Sequence, residues 1–128
     1  MFGTQMIGEE VNLDERGHAR NSAAGVLARE ASDWLKQGQA APAAEALEQA
    51  LLLRPDWPEL HNSLGVALRL QGRLDEALSH CREAVRLAPD MAEARNNLGS
   101  MLTEQGKLEE AIDSLRDAIR LKPGFANA

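Results

Sequence analysis

The residues of this sequence best suited to chemistry are three histidines and one cysteine, namely His18, His61, His80 and Cys81. The histidines are not spaced as metal ligands on one helix face, and a single cysteine can form neither an internal disulfide nor a thiolate-rich zinc site. Cys81 belongs to an apolar helical series, which favours a small buried side chain over a reactive thiol. No nucleophile lies in a recognisable turn. We therefore predict no catalytic residue, no metal site and no cofactor, and a chain that is not an enzyme by itself.

The charged residues also indicate structure rather than a reaction. The acidic pairs, Asp75 with Glu76 and Glu109 with Glu110, open predicted helices, where negative charge interacts favourably with the helix dipole. The formal net charge is −6, whereas phosphate binding needs clustered cations, so we predict no nucleic-acid partner. The N-terminal segment does not have the basic residues followed by an apolar run that are typical of a signal peptide, and no apolar stretch approaches the length of a membrane span. We therefore expect no membrane association and a cytoplasmic location.

The elements that position these residues come from a repeat. Two similar stretches begin at Leu60 and at Ala94. Every residue of the first stretch is separated from its match in the second by the same number of positions as Leu60 from Ala94, and such a fixed period marks a repeat array. A fainter copy lies one further period upstream, where Trp34 is in register with Leu68 and Leu102. The positions that we expect to hold the repeats together are Trp34, Pro55, Gly65, Ala77, Pro89, Gly99, Ala111 and Pro123.

Each copy predicts two helices joined by a tight turn. In the second half of the middle copy, the residues at the spacing of one helix face are Leu74, Ala77, Leu78, Cys81, Ala84 and Val85. Gly38, Gly72 and Gly106 separate the halves, and glycine there can adopt the left-handed conformation that ends a helix. Asp56 and Asp90 each precede a glutamate by three residues, which is typical of a helix N-cap.

This pattern resembles the tetratricopeptide repeat family, on the residues Leu64, Gly65, Leu68, Ala77, Ala84 and Pro89 and their counterparts in the next repeat. The resemblance implies an all-α fold, an α-solenoid of three stacked helix-turn-helix units that form a right-handed superhelix. His61 and Arg95 depart from the pattern, because the family often has an aromatic residue at their position.

The domain prediction follows from the same register. We expect a repeat domain over residues 22–125, with repeats at about 24–57, 58–91 and 92–125. Residues 1–21 share no period with the rest and are predicted to form a mobile tail, with Asn21 or Ser22 as the cap of the first helix. Residues 126–128 are predicted to begin a truncated fourth repeat.

The resemblance also implies a function, because members of the family mostly bind proteins or peptides in a groove lined by the first helix of each repeat. The predicted groove residues are Ala28, Ser32, Leu35, Asn62, Val66, Arg69, Asn96, Asn97, Ser100 and Thr103. Small and amide side chains of this kind can hydrogen-bond the backbone of an extended peptide, and they also suit a solvated helix face that binds nothing. The predicted function is therefore a scaffold that binds a protein or peptide partner.

The sequence does not support one more specific function, the binding of a C-terminal carboxylate. Chaperone-binding members hold a C-terminal carboxylate with lysines, asparagines and an arginine. The corresponding positions here are Ala28, Ser32, Ser63, Glu93 and Asn97. Glu93 would repel a carboxylate, so we predict that this chain has no carboxylate clamp.

Two further interpretations remain open. Asn97 resembles the asparagines in the repeats of protein O-glycosyltransferases, so the chain is alternatively the N-terminal recognition arm of a larger transferase. The last predicted helix carries Leu115 and Ile119 on an apolar face without a polar closing helix after it. We therefore expect either further repeats in the natural protein or a homodimer through this helix.

Overall fold

The computed structural model describes the backbone of residues 2–121 and the side chains of residues 19–121. Within this part the chain has six α-helices and no β-strand. The helices are α1 Phe2–Lys36, α2 Ala40–Leu53, α3 Pro58–Leu70, α4 Leu74–Leu87, α5 Ala92–Glu104 and α6 Leu108–Leu121. Each odd-numbered helix packs on the helix that follows it, and α2 packs on α3 as α4 packs on α5. The predicted all-α solenoid of three helix-turn-helix units is confirmed.

Three similar turns join the two helices of each pair, and a glycine makes each turn possible. Gly38, Gly72 and Gly106 have φ angles of 75°, 79° and 77°, in the left-handed region that other residues avoid. In the middle turn the Arg73 N–H donates to the Leu68 carbonyl at 2.9 Å, and the same bond recurs in the other two turns. This bond satisfies a carbonyl that the ending helix leaves without a partner. The predicted glycine turns are confirmed.

The helices that follow the two linkers have other N-cap residues than the sequence predicts. The N-cap residues of α3 and α5 are Trp57 and Met91, and neither makes a side-chain capping bond. The prediction that Asp56 and Asp90 cap these helices is therefore wrong. Pro58 lies in the first turn of α3, where its missing N–H would have had no helical partner.

Helix α1 is much longer than the others and continues through the segment predicted as a tail. Asn21 and Ser22 lie inside α1, so the predicted start of this helix is wrong. The mobility of residues 1–21 stays a prediction, because a helical backbone does not report motion. Pro123 and the predicted fourth repeat at 126–128 lie outside the described residues.

The two helices of the second and third pairs cross closely at a glycine. A Cβ atom on Gly65 would lie 2.5 Å from the sulfur of Cys81, and one on Gly99 would lie 2.6 Å from Cγ of Leu115. Both separations are far below van der Waals contact, so only glycine fits without a shift of the neighbouring side chain. The predicted close crossings at Gly65 and Gly99 are confirmed.

The first repeat departs from the other two at Trp34. Leu68 and Leu102, which share its register, are each 1% exposed, whereas Trp34 is 38% exposed. Ala77 and Ala111 are buried, as the pattern predicts. The difference arises because α1 packs on α2 and no helix pair of the described chain covers its outer side. Trp34 therefore does not take the buried role that its register predicts.

Candidate functional site

The ten predicted groove residues lie on the first helices of the three pairs, α1, α3 and α5. Ser32 and Thr103 are exposed, Asn62 is buried, and the other seven are half-buried. Helix α3 also contacts α5 directly, so the middle and last helices of this set form one continuous surface. We call this surface the inner face.

The α1 part of the inner face offers few groups to a ligand. Ala28 and Leu35 pack against the hydrophobic core and are half-buried. Ser32 is the exposed hydroxyl between them, one helical turn from each. Polar recognition on the inner face therefore depends mainly on α3 and α5.

A hydrogen bond between two asparagines joins α3 to α5. The amide nitrogen of Asn97 donates to the side-chain oxygen of Asn62 at 3.0 Å, and Asn62 is only 5% exposed. A buried amide needs such a partner, and this bond also fixes the rotamer of Asn97. Asn97 keeps a second N–H and its own oxygen, which are the groups that a peptide bond requires from a binding partner. Asn96, the next residue along α5, is half-buried.

The single cation of the predicted set is already paired. The guanidinium of Arg69 on α3 forms an ion pair with Glu104 on α5. The Thr103 hydroxyl donates to the carbonyl of Gly99, four residues earlier in α5, at 2.8 Å. This part of the inner face therefore presents a neutralised cation and a hydroxyl oxygen that is left as an acceptor.

The structure brings together two histidines that sequence spacing keeps apart. Nδ1 of His61 on α3 lies 3.1 Å from Nδ1 of His80 on α4, and the rings stack with their centroids 5.4 Å apart. Nε2 of His61 lies 2.7 Å from the carbonyl oxygen of Pro55 and donates to it. Neutral His61 therefore accepts at Nδ1, and the proton in the imidazole pair belongs to Nδ1 of His80.

The surroundings of His80 favour its neutral form. Burial, and after it the neighbouring His61, lowers the pKa of His80 below its usual value. The carboxylates of Glu48, Glu76 and Glu83 oppose this shift without cancelling it. A second proton on the pair would place two cations side by side, which is the physical origin of the His61 effect.

The same repeat position has the same structural role one repeat later. Arg95 is in register with His61, and its Nε donates to the carbonyl of Pro89 at 2.6 Å, as His61 does to Pro55. Arg95 also forms an ion pair with Asp117 at 2.9 Å, with both side chains half-buried. Two residues that depart from the family's aromatic pattern therefore tie each linker to the helix that follows it.

Cys81 has none of the features of a reactive thiol. It is 0% exposed, and burial raises its pKa to about 12. Its sulfur lies 3.8 Å from the thioether sulfur of Met101. The prediction that Cys81 is a buried core residue is confirmed.

Neither of two surface clefts coincides with the predicted groove residues. One of about 520 Å³ lies along the second helix of the middle pair and is lined by Asp75, Leu78, Ser79, Arg82, Glu83, Arg86 and Lys107. The other, of about 430 Å³, lies at the outer end of the stack and is lined by Glu30, Asp33, Trp34 and Gln37. Among residues 19–121, no group of three or more His, Cys, Asp or Glu side chains is placed to hold a metal ion. No helix in the described part of the chain is long and apolar enough to cross a membrane.

A family model described as "Tetratricopeptide repeat" matches residues 58–123. The chain is similar to the first TPR of Spaghetti (RPAP3) bound to HSP90 peptide SRMEEVD, with 25% identity, a TM-score of 0.77, and 80% of this chain and 81% of that chain covered. It is also similar to the first TPR domain of human RPAP3, with 26% identity, a TM-score of 0.76, and 79% and 80% covered. The Sgt2 TPR domain from Aspergillus fumigatus, at 18% identity and a TM-score of 0.75 over 78% of this chain and 66% of that chain, shares the fold. No curated protein sequence matches the chain.

Proposed function

Because this chain belongs to the tetratricopeptide repeat family, we propose that it is a protein-interaction module whose inner face binds an extended peptide segment of a partner protein. The observation that carries this proposal is the Asn62–Asn97 hydrogen bond, which holds one amide in a fixed orientation between α3 and α5. An amide held in this way loses little further entropy when it binds, so its hydrogen bonds contribute more to affinity.

The polar groups of α5 suit the backbone of a peptide better than a charged side chain. Asn96, Asn97 and Ser100 are all half-buried and lie within about one turn of each other. Each offers both a donor and an acceptor, which matches the N–H and C=O of a peptide bond. Val66, which is half-buried on α3, adds an apolar side chain to the inner face.

The charges of the inner face argue against an acidic C-terminal peptide. RPAP3 binds SRMEEVD, which carries acidic side chains and ends in a carboxylate. Glu93, at one of the clamp positions of this chain, is exposed and would repel such a ligand. Arg69 is already paired with Glu104, so it gives little compensation. We therefore expect the peptide to be an internal segment that is neutral or basic.

A labelled SRMEEVD peptide tests the clamp directly. We expect no saturation in fluorescence polarisation up to about 1 mM, a limit that corresponds to about 4 kcal/mol of binding free energy. Glu93→Lys should raise the affinity at least about tenfold, because an opposite charge replaces a like charge. Saturation of the parent chain below 100 µM, a threshold about tenfold under that limit, would contradict the assignment of the inner face to neutral or basic segments.

A random decapeptide library, displayed either internally or with a free C-terminus, tests peptide binding itself. We expect internal sequences to be enriched, and their affinity should fall about 5- to 150-fold in the Asn96→Ala, Ser100→Ala variant, since two hydrogen bonds are worth about 1–3 kcal/mol in total. Ser79→Ala, in the cleft on α4, is the matched control. If no sequence is enriched over a Gly-Ser segment, or if the enriched peptides bind both variants equally, the proposal is wrong.

A further inference from the structure

The second helix of the last pair exposes an apolar stripe that its counterpart in the middle pair buries. We define the α6 stripe as Leu108, Ile112, Leu115 and Ile119, which lie at i, i+4, i+7 and i+11 on one helix face. Leu108, Ile112 and Ile119 are 58%, 49% and 45% exposed. Leu115 is half-buried, because it also packs across the crossing at Gly99.

The register shows what such a stripe does elsewhere in the chain. Its counterparts on α4, one repeat earlier, are Leu74, Leu78, Cys81 and Val85, all of which belong to the core or pack against it. Helix α5 packs on α4, and the sulfur of Met101 on α5 lies 3.8 Å from the sulfur of Cys81 in that stripe. Leu78 is 2% exposed where Ile112 is 49% exposed. The α6 stripe therefore has the composition of a helix interface, and no helix of the described chain covers it.

The charges that border the α6 stripe indicate which partner fits it. Each stripe residue is followed by an exposed charged residue, in the order Glu109, Asp113, Arg116 and Arg120. The N-terminal half of the border is therefore acidic and the C-terminal half is basic. The corresponding residues on α4 are Asp75, Ser79, Arg82 and Arg86, so the border of α6 differs from that of α4 by the additional acid at Asp113.

We propose that a second copy of this chain covers the α6 stripe by pairing α6 with α6 in antiparallel orientation. A two-fold axis places Leu108 against Ile119 of the second copy and Ile112 against its Leu115. The two borders then lie on the same side of the pair, so the acidic half of each helix faces the basic half of the other. Parallel two-fold pairing would instead place the two borders on opposite sides of the pair, where the acidic and basic halves could not meet.

The ion pairs between the two copies can form without breaking the ion pair that already exists within α6. Arg120 already pairs with Asp117 in its own helix, but a guanidinium has five N–H donors and can serve Glu109 of the second copy as well. A single helix on each side gives a small interface, below the roughly 1,200 Å² of standard complexes. The pairing is therefore weak and concentration-dependent.

Sedimentation velocity of the 128-residue chain between about 5 µM and 1 mM tests the association, over the range where weak interfaces dissociate. We expect a shift from 13.9 kDa toward twice that mass, with no larger species. A monomer at every concentration would overturn the proposal and leave the stripe to a helix from elsewhere. Growth beyond the dimer would also overturn it, because open-ended growth requires head-to-tail contacts.

Two polar substitutions test the stripe itself. Ile112→Gln with Ile119→Gln should weaken the association at least about tenfold and leave the helical circular dichroism unchanged, because both side chains are half-exposed. Leu115 is left intact, since a polar residue there would disturb the crossing at Gly99. Leu52→Gln, at an 84% exposed leucine on α2, is the matched control. Association that survives the double substitution would place the interface elsewhere.

Charge reversal and cross-linking test the orientation. Glu109→Arg with Asp113→Arg, and Arg116→Glu with Arg120→Glu, should each abolish association, and an equimolar mixture of the two variants should restore it. If the mixture stays monomeric, the pairing of the borders is wrong.

For cross-linking, Leu108→Cys mixed with Ile119→Cys should give the mixed disulfide, because two Leu108 positions of an antiparallel pair lie about 16 Å apart. Cys81 does not compete, since its thiol is buried. A predominant disulfide between two Leu108→Cys chains would indicate parallel helices and overturn the proposal.

Discussion

The crossing of α3 and α4 at Gly65 gives a quantitative test of the packing. Gly65→Ala adds one methyl group 2.5 Å from the sulfur of Cys81 and 3.2 Å from the carbonyl oxygen of Ala77. Neither neighbour can move freely, because Cys81 is 0% exposed and the carbonyl belongs to the α4 backbone. Gly25 on α1 provides the matched control, since an added methyl group there meets nothing within 4 Å.

Gly65→Ala should be less stable than Gly25→Ala. Alanine is favoured over glycine in a helix by about 0.5–1 kcal/mol, and Gly25→Ala should be stabilising by this amount. Gly65→Ala gains the same term but adds overpacking of about 1–3 kcal/mol. Because the propensity terms cancel, the difference between the two variants measures the clash alone. At about 4 °C per kcal/mol, the two melting temperatures should differ by roughly 4–12 °C.

Thermal unfolding followed by circular dichroism, with urea unfolding as a second measure, decides the question. If Gly65→Ala melts at or above the temperature of Gly25→Ala, the crossing is not close and the reasoning fails. The double variant Gly65→Ala, Cys81→Ala identifies the clashing atom. It should be more stable than the sum of the single effects by about 1 kcal/mol, because alanine at 81 removes the sulfur.

Three further outcomes follow from the same contacts. Gly99→Leu should destabilise the chain by about 1–3 kcal/mol or more, measured by urea unfolding, because the new side chain meets Leu115. Folding lowers the pKa of His80, so the contribution of this residue to the free energy of unfolding should be complete above pH about 6.5 and should be lost as the pH falls through the folded-state pKa. His80→Gln should therefore make the melting temperature less dependent on pH over this range. Cys81 should resist a thiol reagent in the folded chain and react once urea unfolds it, because burial raises its pKa to about 12.

The features that the sequence predicts correctly are those that a local rule determines. A glycine between two apolar helical series predicts a left-handed turn, and all three such glycines adopt it. The crossings at Gly65 and Gly99 follow from register, since a residue without a side chain at a fixed repeat position indicates close approach of two helices. In each case the residue type itself carries the structural information.

The features that the sequence does not predict depend on residues far apart in the chain. His61 and His80 are 19 positions apart, and only the packing of α3 on α4 brings their rings together. The sequence predicts that Asn62 is an accessible groove residue, but it is only 5% exposed and its side-chain oxygen accepts from Asn97. The register of Trp34 predicts a core residue, but in the described chain no helix pair lies on the outer side of α1 to cover this side chain. Register fixes where a residue lies on its helix, whereas burial depends on which helices surround it.

The two proposed surfaces can be tested independently because they belong to different helices. The inner face is formed by the first helix of each pair, and its hydrogen-bonded asparagines join α3 to α5. The α6 stripe lies on a second helix, and α6 enters the inner-face contacts only through its packing on α5. A variant at Ile112 and Ile119 should therefore lose self-association and keep its peptide affinity, while Asn96→Ala should do the reverse. If either variant loses both self-association and peptide affinity, the two surfaces are not independent. One surface then performs both roles, and peptide binding requires the paired chain.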